Sequence, residues 1–92
     1  LATIGPASRS PEMLERLVLA GADAFRLNMS HGSHADHEPV VAAIRALEKQ
    51  FARPIAILAD LQGPKLRVGT FKEGQAVIRH SGHFVLDRDE TP

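Results

Sequence analysis

Three short apolar segments alternate with two helical patterns over the first sixty residues, and this order restricts the possible folds more than any other feature. The segments end near Ile4, Ser30 and Asp60. Antiparallel strands can be joined by a tight turn, whereas parallel strands need a long crossover that is usually a helix. The β-α-β-α-β order therefore predicts a parallel sheet, as in a β/α barrel or a doubly wound sheet.

Capping signals place the two helices and the third strand. Ser10 and the proline after it suit a helix start, and Gly21 can adopt the left-handed conformation that ends a helix. The second helix is predicted to be capped by Asp36, with Pro39 in its first turn, and to end before Pro54. The continuous apolar run at 55–59 predicts a strand that is covered on both faces.

The pattern changes after Gly63. Residues 65–71 and 76–86 are β-like, are interrupted by glycine and lack a helical pattern. We therefore predict the first β/α units of a barrel at residues 1–67 and the start of a separate, inserted β domain at 68–92. A complete β/α barrel needs about 250 residues. The chain also begins with Leu and stops without a terminating element, so we expect a fragment that does not fold well alone.

Composition argues against several classes of protein. The 92 residues include eleven basic and eleven acidic side chains. This balance indicates neither a nucleic-acid tract nor a basic surface for membrane binding. The apolar runs are too short to cross a bilayer. The chain has no cysteine, which rules out disulfide and thiolate chemistry in this segment and favours a cytoplasmic protein.

The most unusual polar pattern lies at the end of the second predicted strand. Apolar and polar side chains alternate there, so that three polar residues share one face: Arg26, Asn28 and Ser30. A guanidinium group matches the geometry of phosphate or carboxylate, and amide and hydroxyl oxygens suit a cation. A half-exposed strand with a solvated polar face is the alternative. We favour a binding site because a buried arginine without a ligand is costly.

A second polar cluster follows the third predicted strand. Asp60 could bind a cation, and Lys65 and Arg67 place positive charge beside the turn at Gly63. Taken alone, this cluster is explained more simply as a turn with solvated basic residues.

Three histidines are spaced three residues apart, namely His31, His34 and His37. Zinc sites on helices more often pair histidines at i and i+4, and no cysteine or carboxylate group completes a tetrahedral set here. We therefore favour polar residues around the start of the second helix over a zinc site.

Three stretches resemble the pyruvate kinase family in order and spacing. They are Thr-Ile-Gly-Pro-Ala-Ser at 3–8, Phe-Arg-Leu-Asn-Met-Ser-His-Gly at 25–32 and Asp-Leu-Gln-Gly-Pro-Lys-Leu-Arg at 60–67. The resemblance covers essentially the whole chain, including the residues at 86–92. It implies a TIM (β/α)8 barrel that is interrupted after its third strand by a small β-barrel lid domain.

The resemblance also implies a reaction and its requirements. The phosphoryl group of phosphoenolpyruvate would pass to ADP and give pyruvate and ATP, with Mg²⁺ and, in the family, K⁺ as cofactors. The full-length enzyme would be a homotetramer. The lysine that stabilises the migrating phosphoryl group, and the Glu and Asp that bind magnesium, would lie beyond residue 92. We therefore expect the isolated chain to be inactive.

The resemblance assigns roles to individual residues. Arg26 would be the catalytic arginine that holds the phosphate of phosphoenolpyruvate. The nucleotide-binding residues would be Thr3, Pro6, Asn28, Ser30, His31 and Arg67, the last of these contacting the ADP phosphates. The monovalent-cation site would comprise Asn28, Ser30 and Asp60.

One departure from the family pattern concerns potassium. Members that depend on potassium typically have Thr-Lys after the aspartate, Glu after Gly-Pro and Thr after the arginine, where this chain has Leu61, Gln62, Lys65 and Val68. This set resembles the potassium-independent group, in which a lysine ammonium is thought to replace the charge of the ion. Leu61 also removes a hydroxyl oxygen from the cation site. Our hypothesis is that Lys65 replaces the bound cation.

Two alternatives remain at this point. An aldolase-type β/α barrel could also handle phosphoenolpyruvate or pyruvate, using a divalent metal and no nucleotide. A structural or regulatory fragment without catalysis would make Arg26 dispensable for activity.

Overall fold

The computed structural model describes residues 1–88. Five elements occur in the predicted β-α-β-α-β order: β1 (Ala2–Thr3), α1 (Pro11–Leu19), β2 (Ala24–Asn28), α2 (His34–Phe51) and β3 (Ala56–Asp60). The strands form one parallel sheet in the order β1-β2-β3, which confirms the predicted parallel α/β organisation.

Both helices pack on the same face of the sheet. The buried apolar side chains form one core: Leu14, Val18, Phe25, Leu27, Val40, Ile44, Leu47 and Ile55. Successive strands are neighbours in the sheet, and the opposite face carries no helix within residues 1–88. Both a β/α barrel wall and one βαβαβ half of a doubly wound sheet have this arrangement, so the described residues are typical of a parallel α/β fold.

Helix α1 begins and ends where the sequence predicts. The Ser10 hydroxyl accepts a hydrogen bond from the Met13 backbone N–H at 3.3 Å, and Pro11 is the first helical residue. Gly21 follows the helix with φ of 107°, a backbone conformation that side chains disfavour.

The predicted cap of α2 is wrong by three residues. Ser33 is the N-cap, and Asp36 is the third helical residue of a capping box. The Asp36 backbone N–H donates to the Ser33 hydroxyl at 3.3 Å, and the Asp36 carboxylate accepts from the Ser33 backbone N–H at 2.7 Å. Two N–H groups are thus satisfied reciprocally. Pro39 lies inside the helix in the second turn, not the first. The helix ends at Phe51, before Pro54 as predicted, and Ala52 caps it with φ of 49°.

The capping box makes the stability of α2 depend on pH. The hydrogen bonds from the backbone N–H and hydroxyl of Ser33 hold the pKa of Asp36 below its ordinary value of 3.8. A carboxylate with a lowered pKa stabilises the fold above that ordinary value, and its contribution is lost as the pH falls through the folded pKa.

We therefore expect Ser33→Ala to lower the free energy of unfolding by about 1 kcal/mol near neutral pH. The difference from the wild type should shrink as the pH falls from 3.8 through the lowered pKa of Asp36, because a protonated Asp36 no longer gains from the hydrogen bond of the Ser33 hydroxyl. Denaturant unfolding of the intact protein at a series of pH values measures it. A difference that stays constant down to the lowest pH would contradict the coupling of Asp36 to Ser33.

The connection between α2 and β3 is fixed by Glu48 and Arg45. One Glu48 carboxylate oxygen accepts a hydrogen bond from the Ile55 backbone N–H at 2.7 Å, and the other pairs with Arg45 at 2.8 Å. Both contacts lower the pKa of Glu48, and the hydrogen bond from the Ile55 backbone N–H has the larger effect. Arg45 also donates to the Ile55 carbonyl at 3.1 Å. The start of β3 is thereby anchored to the last turns of α2.

Arg53 joins the end of α2 to the amino-terminal end of β2. It donates to the Asp23 carboxylate at 2.7 Å and to the Ala22 carbonyl at 3.0 Å. We expect Arg53→Met to lower the free energy of unfolding of the intact protein by about 1–2 kcal/mol, because charge-assisted hydrogen bonds are lost. Thermal unfolding measures this change. The matched substitution at exposed Arg16 should have little effect, and equal losses at both positions would contradict the anchoring role.

The prediction that β3 is covered on both faces is wrong for the described residues. Ile55 is buried and Ile57 half-buried on the helical side, whereas Leu58 is 51% exposed. The strand forms an edge of the sheet, and nothing in residues 1–88 covers the face that carries Leu58.

Residues 61–88 contain no strand, so the predicted β segments at 65–71 and 76–86 are wrong as strands. Two turns occur there, in which Gly74 donates to the Phe71 carbonyl and Gly82 to the Arg79 carbonyl, both at 2.9 Å. Residues 89–92 lie outside the described residues, and the domain boundary near residue 68 stays a prediction. No helix in the described part of the chain is both long and apolar enough to cross a membrane.

Candidate functional site

Polar side chains occupy the face of the sheet that lies opposite the helices. Phe25 and Leu27 are buried toward the helices, whereas Arg26 and Asn28 are half-buried on the other face. The predicted alternation is therefore confirmed for Ala24–Asn28, whereas Ser30, which was predicted to share the polar face, lies in the turn after the strand. Asn28 is paired in register with Asp60 of β3, so these side chains meet at the carboxyl ends of adjacent parallel strands. Ligands of parallel α/β proteins bind at such an edge.

Arg26 and Asp60 form an ion pair across the two strands. The Arg26 Nε donates to Asp60 Oδ2 at 3.1 Å, and its Nη2 contacts the same oxygen. The two side chains are 29% and 47% exposed, so a ligand can reach both. Among the described residues, neither Arg26 Nη1 nor Asp60 Oδ1 has a protein partner. The site thus keeps one guanidinium donor that can bind an anion and one carboxylate oxygen that can bind a cation.

The contact between Arg26 and Asp60 was not predicted from the sequence, although both residues were candidates. Arg26 was assigned to a phosphate and Asp60 to a cation as separate groups. Strand register supplies the connection, because Asp60 lies two residues beyond Leu58, the register partner of Arg26. Such diagonal neighbours are within reach of a long side chain.

The turn after β2 fixes Asn28. Its side-chain Oδ1 accepts a hydrogen bond from the Ser30 backbone N–H at 3.0 Å, and the His31 backbone N–H donates to the Asn28 carbonyl at 3.2 Å. Gly32 follows with φ of 76°, which favours glycine. An amide oxygen has two lone pairs, so Asn28 can hold this turn and still accept a cation. Asn28, Ser30 and Asp60 therefore offer oxygen donors that fit a hard cation.

The loop after β1 lies at the same edge. The Ile4 backbone N–H donates to the Arg26 carbonyl at 2.9 Å, and the Gly5 N–H donates to the Ser8 hydroxyl at 2.8 Å. Thr3 is the register partner of Arg26 on β1, and Pro6 is exposed in the adjoining turn. The structure thus brings Thr3 and Pro6 to the strand ends that carry Arg26.

Hydrogen bonds hold the start of α2 beside this edge. The His37 ring Nε2 lies 2.7 Å from the His31 carbonyl oxygen, and Arg9 donates to the Asp36 carbonyl at 2.6 Å. Within residues 1–88, no three His, Cys, Asp or Glu side chains are arranged to hold a metal ion. The described segment therefore offers no carboxylate cage for magnesium.

Lys65 and Arg67 are not brought to the strand ends. Both are exposed, and no hydrogen bond or ion pair joins either to Arg26, Asn28 or Asp60 in the part of the chain that the structure describes. Arg67 instead lines an open cleft formed by residues 66–87. Their assigned roles beside the nucleotide and the cation stay predictions.

The fold and this site place the chain among the parallel α/β proteins, whose ligands bind at the carboxyl ends of the strands. The chain belongs to the pyruvate kinase family, because residues 1–91 match the family model described as pyruvate kinase, barrel domain.

Curated relatives agree with this assignment. The chain is 53% identical over its whole length to a pyruvate kinase of Methylorubrum extorquens, covering 19% of that protein. It is 50% identical to a pyruvate kinase of Agrobacterium vitis over 97% of the chain and 19% of the relative. It is 45% identical to pyruvate kinase II of Salmonella typhimurium over 92% of the chain and 18% of the relative. The chain thus spans about a fifth of the length of these relatives.

Proposed function

We propose that this chain is the amino-terminal part of an enzyme that transfers the phosphoryl group of phosphoenolpyruvate to ADP, giving pyruvate and ATP. The observation that carries the proposal is Arg26, which lies on β2 two residues before the strand ends and whose Nη1 has no protein partner among the described residues. Membership of the pyruvate kinase family supports the proposed reaction. The proposal includes closure of the sheet into a TIM barrel and an inserted β-barrel lid domain that starts near residue 68.

Charge and position explain how these residues would serve the reaction. Phosphoryl transfer depends on neutralising charge and aligning the reacting oxygens more than on covalent help from the protein. Arg26 would bind the phosphate of phosphoenolpyruvate through its planar set of donors. Thr3, Pro6 and His31 would line the nucleotide site together with Asn28 and Ser30.

The cofactors belong to the same proposal. Magnesium would neutralise the phosphate charge when bound, and its ligands would come from outside this chain. Asn28, Ser30 and Asp60 would form the monovalent-cation site, with Lys65 replacing the potassium charge. Arg67 would contact the ADP phosphates after movement toward the strand ends. We place the enzyme in the cytoplasm, as a homotetramer.

Formation of pyruvate tests the proposal. The intact protein should form pyruvate and ATP from phosphoenolpyruvate, ADP and Mg²⁺, measured by coupling pyruvate to NADH oxidation. Omission of ADP should abolish pyruvate formation. Turnover of phosphoenolpyruvate or pyruvate without any nucleotide would instead support the aldolase-type alternative.

The purified 92-residue chain should show no turnover in the same assay, since the proposed magnesium ligands and the lysine beside the phosphoryl group lie elsewhere. Circular dichroism of that sample reports whether it folds. Measurable pyruvate formation by the isolated chain would contradict the assignment of those groups to other parts of the protein.

A further inference from the structure

We infer that Asp60 is a positioning residue for Arg26: one of its carboxylate oxygens orients the guanidinium toward the phosphate, whether or not a cation occupies the site. This inference rests on the proposed function and adds to the role of Asp60 as a cation ligand. It assigns the two oxygens of one carboxylate to two different tasks.

The geometry of the ion pair supports the division. Both contacts of Arg26, through Nε and Nη2, go to Oδ2 of Asp60. An arginine side chain has four rotatable bonds, so a free guanidinium samples many directions. Two contacts along one edge of the planar group fix its orientation. The opposite edge, with Nη1, then projects away from Asp60.

Among the described residues around Arg26, Asp60 is the partner that orients its guanidinium. Thr3 and Leu58 are the register neighbours of Arg26, and neither forms a hydrogen bond with its guanidinium in the described structure. Asn28 uses its Oδ1 to hold the turn at Ser30. The orientation of Arg26 therefore depends on a residue from the next strand.

Electrostatics alone would predict the opposite effect of losing Asp60. The carboxylate offsets the charge of Arg26 and repels an incoming phosphate, so its removal should strengthen anion binding if only charge mattered. If orientation matters more, its removal weakens binding. If Asp60 serves only as a cation ligand, its removal has no effect when Lys65 replaces the cation. The three possibilities therefore predict stronger, weaker and unchanged binding of phosphoenolpyruvate, respectively.

The test uses Asp60→Asn in the intact protein in potassium-free buffer. We expect the KM for phosphoenolpyruvate to rise about tenfold, as for the loss of a charged hydrogen-bond partner, with a smaller change in kcat. Titration calorimetry with phosphoenolpyruvate should show the same loss of affinity without needing turnover. An unchanged or a lowered KM and Kd would overturn the inference.

A double-mutant cycle with Arg26→Lys tests whether Asp60 acts through Arg26. Lysine keeps the charge but cannot form the two-point contact. Asp60→Asn should therefore weaken binding much less in the Arg26→Lys background than in the wild type. Additive losses would show that Asp60 acts independently of Arg26, which would also overturn the inference.

The chain offers a matched control. Asp23 pairs with Arg53 at 2.7 Å, at the amino-terminal end of the same strand, and its side chain is 83% exposed. Asp23→Asn removes the same charge from a similar pair and should leave the Kd and KM for phosphoenolpyruvate unchanged. If the wild type binds phosphoenolpyruvate but forms no pyruvate, the proposed function fails, and the calorimetric comparison still decides the role of Asp60.

Discussion

Replacing Arg26 by methionine is expected to lower kcat/KM for phosphoenolpyruvate by about 10²–10³-fold in the intact protein, as for the loss of a preorganised donor to a developing charge. Methionine keeps much of the aliphatic length but removes every donor that could meet the phosphate. The substitution also leaves Asp60 without its partner, which adds a negative charge near the ligand. Initial rates over a range of phosphoenolpyruvate concentrations measure the effect.

Two further variants make the result specific. Arg26→Lys keeps the charge without the planar set of donors, so its activity should lie between those of the wild type and Arg26→Met. Arg16→Met removes an arginine from the exposed surface of α1 and should leave the activity unchanged. Full activity in Arg26→Met would support a non-catalytic segment instead.

The helices were predictable because their signals are local. The cap of α1 and the end of α2 follow from residues that lie within a few positions of one another. The error at Asp36 arose within the same local range. Both Ser33 and Asp36 are good caps, and the sequence alone does not show which backbone N–H groups they meet.

Prediction of the strands requires more than local sequence information. A strand exists only when another segment accepts and donates its hydrogen bonds, and the β-like stretches after Gly63 have no such partner within residues 61–88. Similarly, the apolar run that contains Leu58 shows which residues can be buried, but not what covers them.

The candidate site was predicted residue by residue but not as an arrangement. Alternation along β2 was sufficient to place Arg26 and Asn28 on one face. The contact between Arg26 and Asp60 joins residues 34 positions apart, and only the register of two strands determines it. That contact is the reason to treat the phosphate and cation roles as coupled.

The second prediction with a large expected effect concerns how the activity of the intact protein depends on potassium. The intact wild-type protein is expected to retain its activity in potassium-free buffer, because Lys65 would supply the positive charge otherwise contributed by the ion. Lys65→Glu should lower that activity about 100-fold, because it would reverse the charge that our proposal assigns to the position of the cation beside the phosphate groups. Added potassium should restore much of the loss, since Asn28, Ser30 and Asp60 would still provide oxygen ligands.

The effect of potassium itself must be separated from the effect of ionic strength. Initial rates should therefore be measured with potassium replaced by tetramethylammonium at constant ionic strength, because exposed charges are screened by any salt. Lys49→Glu makes the same charge change on the exposed surface of α2 and should create no potassium dependence. Leu61→Thr combined with Lys65→Glu restores a hydroxyl ligand and should lower the potassium concentration required. Strong potassium activation of the wild type would show that Lys65 does not replace the ion.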